Sequence, residues 1–322
     1  MNKKLIKWLL QIAATIFLLY LALRRIDTEA LKGIVNETDF RLFLLIPLFL
    51  VIDLWINSYR IKSLYSFYGV KTQLLKIAWV KLEGGFFSLL FPLIGDAYKI
   101  QTFKTTYGAS YGKNSMVVLL DRLIFTFALT LILAPVWLMG IIEVEPILQW
   151  AIAGLLLIEI VIFYVLNKPA IFQYFASLLL KLRPGWSFLQ LKFEARKGYF
   201  REILINTVIS VGRHMLTALL YLTIAVSVVP HRDFAIGLFM LSVFSIILSR
   251  VLPVSVGGIG LREYIAVAVF PQLGILPEYA FTIALTVSFV GIFQGLAGGL
   301  SFLWNRIHAF SGIMDKEQNN DQ

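Results

Sequence analysis

The chain alternates between long apolar runs and short polar connections. A transmembrane helix needs about 20 predominantly apolar residues to cross the hydrocarbon core of a bilayer. Six runs approach that length: Leu5 to Leu23, Leu42 to Tyr59, Val117 to Ile142, Ile147 to Leu166, Ile203 to Val229 and Tyr279 to Leu303. The pattern predicts an all-α integral membrane protein, a polytopic bundle with about six full spans.

Two further apolar regions are too irregular to form simple spans. The first, Leu74 to Asp96, carries charged residues and is divided by Gly84 and Gly85. The second, Phe234 to Leu252, breaks at the stretch LPVSVGGIGLREY and resumes as Leu261 to Phe270. At a rise of about 1.5 Å per residue, the resumed part covers only about half of the membrane. We therefore predict two re-entrant or broken helices.

Composition and charge agree with a membrane location. Hydrophobic residues make up 59% of the 322 residues, and the mean hydropathy is +0.80, whereas an ordinary soluble domain is roughly half apolar. The net charge of +10 comes mainly from residues at the ends of apolar runs. This distribution favours anionic lipid over nucleic acid as a partner.

The positive-inside rule gives an orientation. With both termini in the cytoplasm, 20 of the 29 basic residues, Arg60 among them, lie inside and five lie outside. We assign residues 1–312 to a single transmembrane domain and residues 313–322 to a hydrophilic cytoplasmic tail. The longest cytoplasmic connection, Asn167 to Glu202, forms either an amphipathic basic segment on the inner leaflet or a solvated connector.

The two breaks share a pattern. FPLIGDAYK, from Phe91 to Lys99, and LPVSVGGIGLREY, from Leu252 to Tyr264, each contain a proline, then a glycine, then an acidic and a basic residue close together. Interrupted hydrophobic segments in both halves of a chain are a sequence sign of a transporter's binding site, and they are compatible with an internal repeat. An irregular backbone persists at membrane depth only when it is buried in protein or lines a wet cavity. The breaks therefore predict a cavity.

The second break has the features of an anion site. Gly257, Gly258 and Gly260 permit positive φ and close approach of the backbone to a ligand. A helix beginning near Leu261 would direct its free N–H groups toward the gap. Arg262, in the first turn of that helix, is suited to a bidentate contact with a phosphate.

Several ionisable residues lie within or beside the apolar runs, where charged side chains generally face the interior of a bundle. They are Asp53, Asp96, Asp121, Arg122, Glu159, Arg213, Arg250, Arg262 and Glu263. Asp121 and Arg122 are adjacent and therefore about 100° apart on a helix. Each must find a partner elsewhere or extend toward the membrane surface.

Two interpretations of the remaining ionisable residues stay open. Arg250 and Arg262 flank the second break, and they either bind substrate together with Asp96 or Glu263, or form structural ion pairs. Asp53 and Glu159 are lone acids in apolar helices that either form interhelical hydrogen bonds or couple to protons, and Arg213 is expected to form a structural pair.

Catalytic and metal-binding motifs are missing from the sequence. The chain has no cysteine, and its three histidines are far apart, so we expect no metal site and no cofactor. There is no P-loop, no Gly-x-Ser-x-Gly and no His-Glu-x-x-His. These absences favour a binding or transport role over catalysis.

The segments FPLIGDAYK, VVLLDRLIF and LPVSVGGIGLREY together resemble the lysylphosphatidylglycerol synthase transmembrane-region family. These flippase-like domain proteins correspond to the membrane half of the multiple peptide resistance factor. The resemblance covers nearly the whole chain, and GGIGLRE is its most specific part. The family's Gly-Asp and following basic residue match Gly95, Asp96 and Lys99, and its Asp-Arg matches Asp121 and Arg122.

The resemblance implies a lipid translocase or lipid-binding protein of the bacterial plasma membrane, linked to antimicrobial peptide resistance. Re-entrant helices would surround a central cavity for an anionic or aminoacylated phospholipid such as lysylphosphatidylglycerol. The expected substrate-binding residues are Asp96, Lys99, Arg122, Arg250, Gly257, Gly258, Gly260, Arg262 and Glu263.

The alternative is an enzyme, a phosphatidylglycerol lysyltransferase or its membrane subunit, which would use lysyl-tRNA. The family's full-length enzymes carry a soluble aminoacyl-transfer domain that this sequence lacks, so we expect no catalysis by the chain alone. The expected partner is a phospholipid; a second copy of the chain and a soluble lipid-modifying protein are further candidates, and nucleic acid is not expected.

Overall fold

The computed structural model describes residues 3–27, 29–90, 92–168, 171, 174, 177, 198–230, 234–250 and 254–320. Within these ranges the chain forms α-helices and short 3-10 segments but no strand. The α-helices are α1 (Lys3–Leu23), α2 (Ala30–Glu37), α3 (Ile46–Phe67), α4 (Leu74–Leu90), α5 (Pro92–Tyr107), α6 (Tyr111–Leu138), α7 (Pro146–Asn167), α8 (Tyr199–Val228), α9 (Ile236–Ile247), α10 (Leu261–Val269) and α11 (Pro277–Asn320). The predicted all-α architecture is confirmed. The amphipathic segment predicted between Asn167 and Glu202 lies largely outside the described residues.

Five helical stretches of the described chain are long and apolar enough to cross a membrane. They are Phe40–Phe67, which includes the 3-10 turn before α3, and Tyr111–Leu138, Pro146–Leu166, Tyr199–Val228 and Pro277–Ile307. Each corresponds to one of the predicted spans. The remaining predicted span is α1, whose apolar part, Leu9–Leu23, is shorter.

The assignment of Arg60 to the cytoplasmic surface is wrong. α3 does not end with its apolar run at Tyr59 but continues to Phe67. Ile61, Leu64 and Tyr65 are buried, and their helical spacing keeps this part of α3 against the core. The Arg60 side chain is only 1% exposed, because α3 carries it into the bundle.

The first irregular region is an antiparallel hairpin of α4 and α5. The prediction that Gly84 and Gly85 divide the helix is wrong, because α4 runs through both glycines to Leu90. The chain reverses direction there, and Pro92 begins α5, a position at which the missing N–H of proline loses no hydrogen bond.

Close packing at one glycine holds this hairpin together. Gly95 on α5 lies against Ser88 and Gly84 on α4, and a Cβ atom at residue 95 would lie 2.4 Å from the Gly84 carbonyl oxygen. Gly84 in turn lies against Lys99. Later residues of α4 therefore meet earlier residues of α5, as an antiparallel pair requires.

The second irregular region is also an antiparallel hairpin, formed by α9 and α10. Near its base the rings of Phe239 and Phe270 pack with centroids 4.7 Å apart. Near its tip the main chain of Ser249 lies beside Gly258. Residues 251–253 of the tip lie outside the described part of the chain.

The glycine-rich part of this tip has the predicted backbone conformation. Gly257, Gly258 and Gly260 have φ values of 62°, 82° and 83°, a region that residues with a Cβ atom rarely occupy. α10 begins at Leu261. Both the positive φ angles and the helix start are confirmed.

The order of a long helix, a hairpin and a long helix occurs twice. The first unit is α3, α4 with α5, and α6; the second is α8, α9 with α10, and α11. Asp53 contacts Arg213, and Arg60, later on α3, contacts Ser210, earlier on α8. The first helices of the two units are therefore antiparallel, the arrangement that inverted repeats would produce.

The first hairpin packs closely against α11 through glycines of the last helix. Gly295, Gly298 and Gly299 lie against Leu89, Leu82 and Phe86 of α4, respectively. Main-chain atoms approach most closely at Gly298, where a Cβ atom would lie 2.0 Å from the Leu82 carbonyl oxygen. Small residues permit such close contact between helices in a membrane.

We expect Gly298→Ala to destabilise the protein by about 1–3 kcal/mol, because the added methyl forces α4 and α11 apart. The measurement is thermal unfolding of the purified protein in detergent. Gly291→Ala on the same helix is the matched control, since a Cβ atom at residue 291 meets nothing within 4 Å. Equal unfolding temperatures for the two variants would show that this packing is not rigid.

Candidate functional site

The first hairpin brings together the three charged residues predicted in its vicinity. Asp96, near the start of α5, accepts a hydrogen bond from Lys99 Nζ at 3.1 Å. Its other carboxylate oxygen forms an ion pair with Arg122 on α6. The Asp96 side chain is 12% exposed and that of Arg122 is 51% exposed. Arg122 is therefore the accessible member of this group.

A second ion pair lies deeper in the bundle. Arg60 on α3 pairs with Asp121 on α6, and Arg60 Nη1 donates a hydrogen bond to Ser210 Oγ on α8 at 2.6 Å. Asp121 and Arg122 thus take partners on different helices, as their adjacent positions require.

A third ion pair joins α3 to α8. Arg213 contacts Asp53 through two parallel hydrogen bonds, from Nε at 2.8 Å and from Nη2 at 3.0 Å. Both residues lie at the middle of their apolar spans, Phe40–Phe67 and Tyr199–Val228. Arg60 lies seven residues farther along α3, about 10 Å toward the end of that helix.

Asp53 also lines a small cavity of about 40 Å³ between α3, α8 and α11. The other lining residues are Phe49, Leu50, Leu216, Thr217, Leu220, Val287, Val290, Gly291 and Gln294. Polar and apolar atoms contribute about equally to its walls. A cavity of this size has room for about one to three water molecules, so it is not by itself a lipid site.

Lys81 on α4 adds a fifth cation. Its main electrostatic neighbours are Asp121, Arg213, Lys99 and Arg60, yet it forms no ion pair within the described part of the chain. We define the charged cluster as Asp53, Arg60, Lys81, Asp96, Lys99, Asp121, Arg122 and Arg213. It contains five basic side chains and three carboxylates, so basic groups outnumber acidic groups by two.

A further buried carboxylate, Glu83, lies outside this cluster. It accepts hydrogen bonds from Tyr98 on α5 and from Ser301 and Asn305 on α11. Its side chain is buried. These neutral donors satisfy Glu83, so it links three helices without forming an ion pair with a cation of the charged cluster.

The second break forms a separate and closed network. Glu263 accepts hydrogen bonds from the Gly260 N–H and from Ser288 Oγ. Arg262 Nη1 donates to the same Ser288 hydroxyl at 2.7 Å, and Nη2 donates to the Gly257 carbonyl at 3.4 Å. Arg262 and Glu263 are buried, so a substrate contact at either residue stays a prediction.

The remaining predicted residues of this break divide into two groups. Gly258 and Gly260 are buried, whereas Gly257 is exposed. Arg250 ends the 3-10 turn after α9, but its side chain lies outside the described residues. The proposed contact of Arg250 with substrate also stays a prediction.

The tips of the two hairpins meet near the middle of α11. Ser288, which binds Arg262 of the second tip, and Gly295, which contacts Leu89 of the first, are seven residues apart, or about 10 Å along the helix. The midpoint of the apolar span Pro277–Ile307 lies between them. α4 also contacts the Val256–Gly258 turn, so the two tips lie close together at similar levels along α11.

Five members of the charged cluster were not among the expected substrate-binding residues: Asp53, Arg60, Lys81, Asp121 and Arg213. Two of them, Arg60 and Lys81, were also absent from the ionisable residues predicted at membrane depth. Lys81 follows the buried residues Ile77 and Ala78 at helical spacing, which is a signal for an inward-facing position. Arg60 has the same signal, because apolar residues follow it at helical spacing. Ser288, which joins Arg262 to Glu263, has no such signal, because a lone serine is ordinary in a membrane helix.

Comparisons with known proteins agree with this architecture. No curated protein matches the chain. The family model described as the lysylphosphatidylglycerol synthase TM region matches residues 8–299, a range that includes the charged cluster and both hairpins. The chain therefore belongs to the lysylphosphatidylglycerol synthase TM region family, a family of membrane proteins linked to lysylphosphatidylglycerol metabolism.

Proposed function

We propose that the protein binds an anionic or aminoacylated phospholipid inside the bundle and moves it across the membrane. The observation that carries this proposal is the excess of two basic groups over acidic groups in the charged cluster. Unpaired charge is unfavourable in a low-dielectric interior, and charged residues there generally mark substrate pathways. A lipid phosphate is the compensating anion that a membrane supplies.

The geometry supports distinct roles for three residues. Lys81 has no ion pair among the described residues, and Arg122 is half exposed, so these two cations are placed to contact the phosphate. Asp96 already accepts from two cations. In the proposed complex it binds the ammonium group of an aminoacylated headgroup, while Arg122 turns to the phosphate.

The pair of hairpins supports movement across the membrane. In transporters built from inverted repeats, binding sites lie near the bilayer midplane, where interrupted helices meet, and the repeats move against each other to expose the site to either side. The two tips contact α11 at Ser288 and Gly295, on either side of the midpoint of its apolar span. The cytoplasmic location of both termini remains part of this proposal.

The second break has a conditional role. Its Arg262 and Glu263 are buried and joined through Ser288, so they would reach a headgroup only after the tip opens. Gly257 is exposed and is the first main-chain position that a headgroup would meet. We assign these residues to the later part of the transport path.

We expect Lys81→Met to slow phospholipid transfer by about tenfold or more, the effect of losing about 1.4 kcal/mol of phosphate binding. The same substitution should raise the unfolding temperature, because it removes repulsion between Lys81 and its cationic neighbours. The measurement is the transfer of labelled phosphatidylglycerol between leaflets of reconstituted vesicles, together with thermal unfolding in detergent.

Lys76→Met is the matched control, since Lys76 lies on the exposed face of the same helix. It should leave both transfer and unfolding temperature unchanged. A Lys81→Met protein that is more stable but transfers lipid normally would remove Lys81 from the phosphate site.

We expect Asp96→Asn to change selectivity rather than to abolish transfer. The substitution removes the proposed partner of the ammonium group but leaves the cations that bind phosphate. Transfer of lysylphosphatidylglycerol should therefore fall by about tenfold, while transfer of phosphatidylglycerol, measured in the same vesicles, is maintained or increased. An equal loss for both lipids would mean that Asp96 only positions Arg122.

Lysyl transfer is a second candidate, because the description of the matching family names a synthase. The longest connection between described helices, from Asn167 to Tyr199, has about 30 residues, fewer than the roughly 50 of a small independent domain. We therefore expect the purified chain to make no lysylphosphatidylglycerol from labelled lysyl-tRNA and phosphatidylglycerol. Labelled lysine in the lipid extract would establish the enzyme instead.

A further inference from the structure

A buried carboxyl group lies outside both polar networks. Glu159 is on α7 with a side chain that is 2% exposed. It shares a seven-residue spacing with Ile152 and Leu166, which are also buried, so this stripe is the face of α7 that packs on α6. No other charged side chain occurs on α7.

The hydrogen bonds of Glu159 indicate that it carries a proton. Its carboxyl group meets the Thr130 hydroxyl on α6, and the same hydroxyl lies 3.0 Å from the Phe127 carbonyl oxygen. A hydroxyl has one proton and cannot donate fully to two acceptors. If Glu159 is a neutral acid, it donates to Thr130 and Thr130 donates to Phe127, so every group is satisfied.

The contrast with the other membrane acids is consistent with this assignment. Asp53, Asp96 and Asp121 each have a cationic partner, and Glu83 has three neutral donors. Within the described part of the chain, Glu159 has no cationic partner and only threonine hydroxyls as polar neighbours. An ionised carboxylate in such surroundings would be poorly compensated.

A polar track leads from Glu159 to the charged cluster. Thr130, Thr126 and Arg122 recur every four residues and therefore share one face of α6. The Thr126 hydroxyl donates to the Arg122 carbonyl at 3.0 Å, and it is also a neighbour of Glu159. Eight residues separate Thr130 from Arg122, which places Glu159 about 12 Å from the Arg122 level along the helix axis.

We propose that Glu159 is a proton-binding site whose proton and an anion in the charged cluster bind together. When the cluster holds an anion, a neutral Glu159 avoids the repulsion that its carboxylate would have with that anion. When the anion leaves, Glu159 releases its proton to water, and the resulting carboxylate offsets part of the excess positive charge. Binding linkage is reciprocal, so a bound proton must strengthen anion binding to the same degree. The coupling to lipid rests on the proposed function; the proton-binding site does not.

Other titratable or charged groups surround this part of α6. They are Asp121 and Arg122 on α6, Asp96 and Lys99 on α5, Asp53 and Arg60 on α3, Arg213 and His214 on α8, and Tyr164 on α7. His214 is the group among them that ordinarily titrates near neutral pH, and its Nε2 lies 3.0 Å from the Phe125 carbonyl oxygen. Any test of Glu159 must therefore include a His214 variant.

Infrared spectroscopy of the purified full chain in micelles that contain phosphatidylglycerol, at pH 6, tests the proton site in the anion-bound state. We expect the C=O stretching band of a buried carboxylic acid in the wild type, its loss in Glu159→Gln, and its retention in Glu143→Gln, which alters an exposed acid in the loop before α7. Thr130→Val should shift the band without removing it, because the acid loses its partner but not its proton. An unchanged band in Glu159→Gln, or no such band in the wild type, would overturn the proposal.

Transfer of phosphatidylglycerol in reconstituted vesicles tests the coupling. We expect wild-type transfer to increase as the pH falls from 8 to 6, by up to about tenfold per pH unit, the limit for one linked proton. Glu159→Gln should remove this dependence and His214→Gln should retain it. A retained dependence in Glu159→Gln would overturn the coupling, whereas a wild type that transfers no lipid would refute the proposed function and leave the infrared result to decide the proton site.

Discussion

The structure depends on the need to pair charged side chains in a medium that cannot solvate them. Asp53, Asp96 and Asp121 lie on three different helices, and each takes a cation from another helix or from a neighbouring turn. Loss of one partner would leave an uncompensated charge in the interior, which is far less favourable than loss of an exposed ion pair. These pairs therefore fix the packing of α3 against α6 and α8, and of α5 against α6.

Close backbone contact makes this pairing possible. Gly95 allows α5 to lie against α4, and Gly298 allows α4 to lie against α11, so a hairpin fits between long helices and carries Lys81 and Asp96 into the bundle. The second hairpin is built differently, since Glu263 caps the start of α10 and Ser288 connects it to Arg262. The first hairpin thus contributes charged residues to the cluster, whereas Arg262 and Glu263 of the second hairpin are joined to each other through Ser288.

This asymmetry unites the two proposals. In the proposed function, an anionic headgroup binds at the first hairpin, which is rich in basic residues, and the second hairpin opens to let the headgroup leave. Glu159 is connected to the charged cluster through Thr130 and Thr126. A proton there and an anion in the charged cluster would therefore act on the same part of the transport path.

The sequence by itself determined the features that depend on neighbouring residues. Apolar runs of sufficient length specified the helical spans, and the glycines after Pro253 specified positive φ before α10, because a helix in lipid must satisfy its own backbone and only glycine adopts those angles readily. The adjacency of Asp121 and Arg122 also required separate partners for the two residues.

Tertiary structure decided which partners they were. The sequence placed Arg60 at the surface and a helix break at Gly84. In the structure, the ion pair with Asp121, which lies 61 residues later in the chain, holds Arg60 inside the bundle. Packing against α5 and α11 holds Gly84 there as well. Such choices arise from contacts between helices far apart in the chain, where the energy of a charge or a glycine depends on what lies opposite it.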